Sequence, residues 1–321
     1  MKYRRLGRSA LKVSELCLGT MNFGPQTSEA DSFAILNAAV EAGINFIDTA
    51  NQYGGHLGVG TTETILGRWI AENRSRRDKI VLATKVHEPM SDDVNDRGLS
   101  ARHIQMACDA SLKRLNVDHI DLYQMHHIDR AAPIEEIWQA MDRLIAQGKI
   151  TYVGSSNFPG WAIAQANEKA IARQRLGLIS EQGLYNLIER RAELEVIPAC
   201  QAYGLGLIVW SPLAGGLLAG ASRDDDGRRR SDAMIAAAAA RAAQLAGLTE
   251  LCAELGESPS EIALAWLLRQ PTVAATIIGP RRLSQLTSAL RAPEIELSDH
   301  ALSQLEALFP GCGAAPEAYA W

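Results

Sequence analysis

Asn45-Phe46-Ile47-Asp48-Thr49-Ala50 is an apolar run that reads as a strand closing on polar residues. The same design returns twice downstream. Ile80-Val81-Leu82-Ala83-Thr84-Lys85 ends on a lysine, and Ile120-Asp121-Leu122-Tyr123-Gln124-Met125-His126 ends on a histidine. Working outward, strand-like runs fall at 15–18, 45–48, 80–85, 120–125, 150–154, 179–182, 207–210 and 275–278. Between them, residues 29–42, 63–72, 100–115, 134–146, 161–173 and 193–203 carry helix formers at helical spacing. Ser100 is placed to cap a helix, and Gly43, Gly148 and Gly177 stand near helix ends, where glycine accepts a left-handed cap. Eight strands alternating with helices predict an α/β fold, a single (β/α)8 barrel over residues 1–321, rather than an open doubly wound sheet.

The rest of the composition narrows the class. With 47% hydrophobic and 21% charged residues, the chain reads as a soluble globular protein able to bury a large core. A net charge of −5 gives no basic footprint for nucleic acid or an anionic membrane. Met1-Lys2-Tyr3-Arg4-Arg5 opens without an apolar signal segment, and no run approaches the roughly 18 apolar residues of a membrane span. Five scattered cysteines (Cys17, Cys108, Cys200, Cys252, Cys312) lack a C-x-x-C pair, which fits reduced thiols. The expectation is a cytoplasmic protein, either a monomer or a small homo-oligomer.

Three segments break the alternation. Residues 86–99 are polar, residues 213–232 hold Gly215-Gly216 and the charged run Arg223–Arg230, and the tail 309–321 is rich in Gly, Pro and Ala. All three can reach the strand-end rim, although the charged run reads first as a solvated loop. Ala236–Ala240 fits a helix.

In a parallel barrel the C-terminal strand ends share one rim, where active sites of this architecture lie. Asp48, Tyr53, Lys85 and His126 all fall there. Taken singly each has a bland reading: a loop cap, a packing ring, a solvated strand end, a hydrogen-bonded core histidine. Together they fit proton delivery to a carbonyl. Tyrosine, with a pKa of about 10, is a weak acid near neutrality. A neighbouring ammonium such as Lys85 lowers that pKa by stabilising the phenolate. Asp48 would hold the lysine charged and oriented, because an unpaired buried charge is expensive. His126 can donate to the substrate oxygen or relay the proton. A metal-dependent sugar barrel is disfavoured, since these strand ends lack the cluster of Asp, Glu and His ligands that such a barrel needs.

An ordered series of motifs now carries a resemblance. Gly43-Ile44-Asn45-Phe46-Ile47-Asp48-Thr49-Ala50, Ala83-Thr84-Lys85, Asp121–His126, Gly154-Ser155-Ser156-Asn157-Phe158, Gln182-Gly183-Leu184-Tyr185-Asn186 and Trp210-Ser211-Pro212-Leu213 follow one another along the chain. From Leu6-Gly7 to about Leu290 the sequence resembles the aldo-keto reductase superfamily. The resemblance implies a (β/α)8 barrel that reduces aldehydes and ketones with NADPH, its catalytic Asp, Tyr, Lys and His being the four rim residues. It also implies cofactor contacts. Ser156, Asn157 and Gln182 would bind the nicotinamide amide, Trp210 would stack on its ring, and Ser211, Pro212 and Leu213 would line the pyrophosphate. Thr20 and Met21 would sit beneath the cofactor, while Gly279, Arg281 and Gln285 would meet the far phosphate. Ser288-Ala289 stand where relatives carry a Glu-Asn pair.

Residues 94–104 and 126–133 resemble a bacterial branch that contains reductases of nucleotide-linked deoxysugars, which implies a keto- or enone-sugar as one candidate substrate. His127 and Arg130 would then either meet substrate or cap the next helix. A broad detoxifying carbonyl reductase and a slow-turnover NADPH-binding regulatory subunit are the rival readings.

Overall fold

The computed structural model describes residues 1–220 and 231–320; the charged run Arg223–Arg230 and Trp321 lie outside the described residues. Eight strands close into an all-parallel barrel, each hydrogen-bonded to the next in chain order and the last to the first. They are β3 (Leu16–Gly19), β4 (Phe46–Asp48), β5 (Val81–Val86), β6 (Ile120–Met125), β7 (Ile150–Ser156), β8 (Leu178–Leu184), β9 (Gly206–Trp210) and β10 (Val273–Ile278). Each of the eight runs picked out in the sequence contributes one of them. Covered on both faces, such strands are near-continuous apolar runs rather than alternating ones, and every residue of β3, β4 and β5 is buried.

Helices wrap the outside. The first six are α1 (Glu29–Glu41), α2 (Thr61–Glu72), α3 (Ala101–Leu115), α4 (Ile134–Ala146), α5 (Gly160–Ala172) and α6 (Val196–Tyr203). In α4 the buried residues Ile137, Trp138, Met141 and Leu144 form one stripe at helical spacing. Ser100 caps α3 as expected, its hydroxyl accepting from the His103 amide at 3.2 Å. Gly43 and Gly148 follow their helices with left-handed φ of 89° and 71°. Gly177 does not cap a helix: α5 ends at Ala172, and Gly177, at φ 77°, turns the chain into β8. The last helix of this set also starts later than expected, at Val196. Pro198 has no N–H for a bond to the residue 194 carbonyl, so the helix cannot extend further back.

After β9 come α7 (Asp232–Ala239), α8 (Ala242–Leu255), α9 (Pro259–Leu268), α10 (Leu283–Ala289), α11 (Asp299–Leu308) and α12 (Glu317–Ala320). An antiparallel hairpin unseen in the sequence, β1 (Tyr3–Arg5) with β2 (Lys12–Ser14), precedes the barrel. All five cysteines are free thiols. Among the described residues no helix is long and apolar enough to cross a membrane.

Register brings the rim together. Asp48 pairs beside Ala83, Lys85 beside Gln124, Gln124 beside Gly154, and Ser156 beside Gln182. Gly154 makes room for Gln124, because a Cβ there would lie 2.5 Å from Ser180 Oγ and 3.2 Å from Gln124 Cγ.

Candidate active site

Lys85 is fully buried at the upper end of β5, and its ammonium has three donors to satisfy. They go to Asp48 Oδ2 at 2.6 Å, the Thr49 carbonyl at 2.8 Å and the Tyr53 hydroxyl at 3.3 Å. Burial pulls the Lys85 pKa down, but Asp48 and Tyr53 outweigh it and hold the ammonium above its ordinary value. The other carboxylate oxygen of Asp48 accepts from Gln124 Nε2 at 3.0 Å and Gln182 Nε2 at 2.9 Å. A buried ion pair of this kind persists only when its remaining lone pairs and protons are satisfied, and here two glutamines complete the set.

Tyr53 lies half-buried in the loop after β4, the Lys85 ammonium 5.0 Å from its ring centre and the His126 ring edge-on at 5.8 Å. Burial pushes the phenol above its ordinary pKa; the Lys85 charge and hydrogen bond pull it back, and Asp48 pushes it up again. The expectation of a lowered pKa therefore needs correction: Lys85 acts with the expected sign, but burial is the larger effect. The phenol stays protonated, and because its oxygen accepts from Lys85 its own O–H is left to donate.

His126 follows β6. Burial first, then Lys85, His127 and His87, push its pKa down to about 2, so the ring is neutral. Its Nδ1 is buried with no hydrogen-bond partner. A neutral imidazole suits an orienting donor better than a relay that must become charged.

Thr20, Ser156, Asn157, Gln182 and Trp210 gather beside this group, with several of their polar atoms already engaged. Asn157, in the left-handed region at φ 57°, accepts from Trp210 Nε1 at 3.0 Å. Its amide nitrogen lies 3.1 Å from the His126 carbonyl, 3.1 Å from Ser156 Oγ and 3.4 Å from His127 Nδ1. Gln182 spends its amide protons on Asp48 and on Gln124 Oε1 at 3.3 Å. Thr20 is buried with its hydroxyl on the Asp48 carbonyl at 2.9 Å, and Met21 is 44% exposed beside it. Past β9, Ser211 and Ala214 take left-handed φ of 52° and 49° before Gly215 and Gly216, while Pro212 is buried between them. Gly279 lies beyond β10, its carbonyl accepting from Asn22 at 2.9 Å; Gln285 Oε1 accepts from the Arg281 backbone N–H at 2.7 Å.

Some site residues escaped the sequence reading. Gln124 is a polar residue near the C-terminal end of β6, two positions before His126, a signal that was there to use. Glu88 gave none, yet its Oε1 lies 3.0 Å from His127 Nε2. Glu88, His126 and His127 form a cluster of ligand-bearing groups at the rim, which corrects the expectation that the strand ends lack one. Glu181, fully buried beside Gln182, accepts from the Phe158 amide at 3.0 Å and from Ser155 Oγ. Arg130 stands over the Trp161 ring at 5.9 Å rather than in the rim group. The tail packs near the segment after β8, with the Phe309 carbonyl accepting from Arg190 at 2.8 Å and Tyr319 donating to Glu195 at 3.1 Å.

Comparison with known proteins agrees with this fold. The Aldo/keto reductase family matches residues 15–309. The chain is 49% identical to "Uncharacterized oxidoreductase YrpG" of Bacillus subtilis over the full length of both proteins. It is 34% identical to "Norsolorinic acid reductase stcV" of Emericella nidulans, across 94% of this chain and 80% of that protein. It is also 33% identical to a "Probable voltage-gated potassium channel subunit beta" of Oryza sativa subsp. japonica, across 99% of this chain and all of that one.

Proposed function

The chain belongs to the aldo/keto reductase family, and from that premise we propose that it is an NADPH-dependent carbonyl reductase with Tyr53 as its acid. The observation that carries the reading is the buried Lys85 ammonium, shared between Asp48 Oδ2 and the Tyr53 hydroxyl. That arrangement leaves one proton, the phenol's own, free to be given.

Bound NADPH would supply hydride to the carbonyl carbon. Tyr53 gives its proton to the carbonyl oxygen, so the product is the alcohol. Lys85 then steadies the phenolate left behind, while Asp48, fixed by Gln124 and Gln182, keeps Lys85 in place. Neutral His126 orients the substrate oxygen beneath Tyr53.

The residues present fit the cofactor. Trp210 is held by its indole N–H to Asn157, a tether that fixes the ring as a stacking platform. Ser156 offers its hydroxyl and Gln182 its carbonyl oxygen to an amide. Ser211, Pro212 and Leu213 bring the backbone of a tight turn toward a pyrophosphate. Near Gly279 a Cβ would meet only Asn22 Nδ2, at 3.3 Å, so the backbone there can be approached closely. Arg281 and Gln285 would receive the 2′-phosphate, and no acidic residue lies in the first turn of α10 to repel it. Thr20 and Met21 complete the floor. The barrel acts as a single unit on a small aldehyde or ketone. A keto- or enone-sugar is the specific substrate class to screen first, since the rim loop 86–99 is polar. A cytoplasmic monomer or small homo-oligomer fits this role.

Similarity to relatives named as potassium channel beta subunits favours one second reading, a regulatory protein that retains NADPH and turns over slowly. One assay separates the two: NADPH oxidation with a reactive aryl aldehyde, wild type beside Tyr53→Phe. The reductase reading expects turnover in wild type and a fall of about 10² to 10⁴ in kcat for the variant, with NADPH binding retained. Tight NADPH retention with negligible turnover in wild type favours the regulatory reading. A variant as fast as wild type removes Tyr53 from the chemistry.

A further inference from the structure

Glu88, His126 and His127 each present one ligand atom, and these atoms all lie within 4.8 Å of one another. Strand ends hold them in place: Glu88 follows β5 and the two histidines follow β6. Glu88 Oε1 and His127 Nε2 are 3.0 Å apart, and the two imidazoles stack with centroids 4.9 Å apart and planes 16° from parallel. Ligands at about 2.0–2.2 Å from one tetrahedral ion lie roughly 3.4 Å from each other. Side-chain movements of up to about 1.4 Å would draw this cluster onto such an ion.

We propose that Glu88, His126 and His127 form a binding site for a divalent transition-metal ion of the zinc type, and that a bound ion closes the carbonyl pocket by taking His126. Two imidazoles and one carboxylate favour zinc, cobalt, nickel or copper over the oxygen-seeking calcium and magnesium. Three protein ligands leave a fourth position for water, as in open zinc sites. Coordination through His127 Nε2 would break its contact with Glu88 and put the ring proton on Nδ1, which faces the Asn157 amide nitrogen at 3.4 Å. The ion therefore binds against a donor-to-donor contact between His127 Nδ1 and the Asn157 amide nitrogen and is displaceable. The pocket-closing half rests on the reductase reading, whereas the binding half does not.

The test titrates cobalt chloride into chelator-treated full-length protein and follows the visible absorption of tetrahedral Co²⁺. The expected result is one ion per chain, with binding weakened at least about tenfold in Glu88→Gln and in His127→Gln, in the range seen when a metal site loses a supporting group. Far-UV circular dichroism and a thermal melt confirm that each variant is folded. No visible band overturns the site, and so does a band unchanged by both substitutions. A band that survives both and disappears on Cys312→Ser overturns it as well, by moving the ion to the half-buried thiol. In the reductase assay, zinc chloride inhibition should be relieved by excess aldehyde and weakened at least tenfold in both variants, each scored against its own uninhibited rate. Inhibition indifferent to aldehyde concentration overturns the claim on His126. If the protein reduces no carbonyl, the reductase reading fails while the cobalt titration still decides the site.

Discussion

Gln182 and Glu181 are neighbours on β8, and the alternation of a strand sends them to opposite faces. Gln182 turns inward to Asp48; Glu181 turns outward to Ser155 and Phe158. Burial pushes the Glu181 carboxyl from its ordinary 4.5 up to about 8, against the hydrogen bonds from Ser155, Phe158 and Asn157. Between those two values the folded protein keeps a proton that the unfolded chain has released. Stability from this group is therefore complete below about 4.5 and lost as pH climbs through about 8. Glu181→Gln removes the charge and keeps an acceptor for the Phe158 amide, while its amide nitrogen turns the Ser155 hydroxyl from donor to acceptor. Thermal melts across that window should show wild type losing stability with rising pH and the variant losing less; parallel curves would mean that Glu181 is not held protonated. A second prediction concerns Trp210→Phe, which keeps a ring but leaves Asn157 Oδ1 without its indole donor. Weaker NADPH affinity with kcat nearly unchanged is expected, read by cofactor fluorescence. At this scale the sequence was legible where chemistry demands a residue type, as with Asp48, Tyr53, Lys85 and His126. It was opaque where a role depends on register: nothing in the chain says that Gln124 lies opposite Lys85, or that Glu88 returns to His127.

Elements were legible in proportion to their periodicity. The eight strands and the first six helices alternate cleanly, whereas α9 is apolar from Ile262 to Leu268, every one of them buried, so that stretch carries no stripe to separate helix from strand. Its start was marked all the same: Ser258 and Glu261 form a reciprocal capping box around Pro259. Packing between elements is where the sequence was silent. Glu63, fully buried on α2, accepts from Thr84 of β5 at 2.6 Å and from Arg114 of α3 at 2.7 Å, so one carboxylate ties three elements together. Removing one partner of a buried pair leaves the other charge uncompensated, at about 3–5 kcal/mol; Arg114 is partly exposed, which places the expected loss at the lower end. Glu63→Ala should lower the denaturant midpoint by an amount worth about 3 kcal/mol. The double variant with Arg114→Ala should lose much less than the two single losses added. Strict additivity would mean that Glu63 and Arg114 do not interact.

At the scale of the whole molecule, the two ends of the barrel do different work. The candidate site gathers at the C-terminal strand ends, while the hairpin of β1 and β2 covers the other mouth. Leu6, in its turn, is fully buried with Cys17, Phe46, Leu122, Ile179 and Ile208 from inside the barrel. The Arg8 amide donates to the Gly204 carbonyl at 2.7 Å, and Arg4 reaches the Val273 carbonyl, also at 2.7 Å, so the plug is hydrogen-bonded to the entries of β9 and β10. These residues precede the family match, which begins at residue 15, and two three-residue strands with an exposed, charged outer face give periodicity too little to act on. Gly7 lets the plug seat: at φ 56°, a Cβ would lie 2.2 Å from the Ile179 carbonyl oxygen and 2.7 Å from that of Gly204, both rigid backbone. Conservation of the TIM-barrel division between a stabilising bottom and a reactive top then makes a sharp prediction. Leu6→Ala should cost about 2–5 kcal/mol through lost burial and the cavity left behind, and Gly7→Ala should cost at least as much through the clash. Both should lower Tm while kcat/KM of the protein that remains folded stays at the wild-type value, because neither touches Asp48, Tyr53, Lys85 or His126. A fall in kcat/KM matching the fall in Tm, measured well below the melting range, would show that the plug also sets the geometry of the rim.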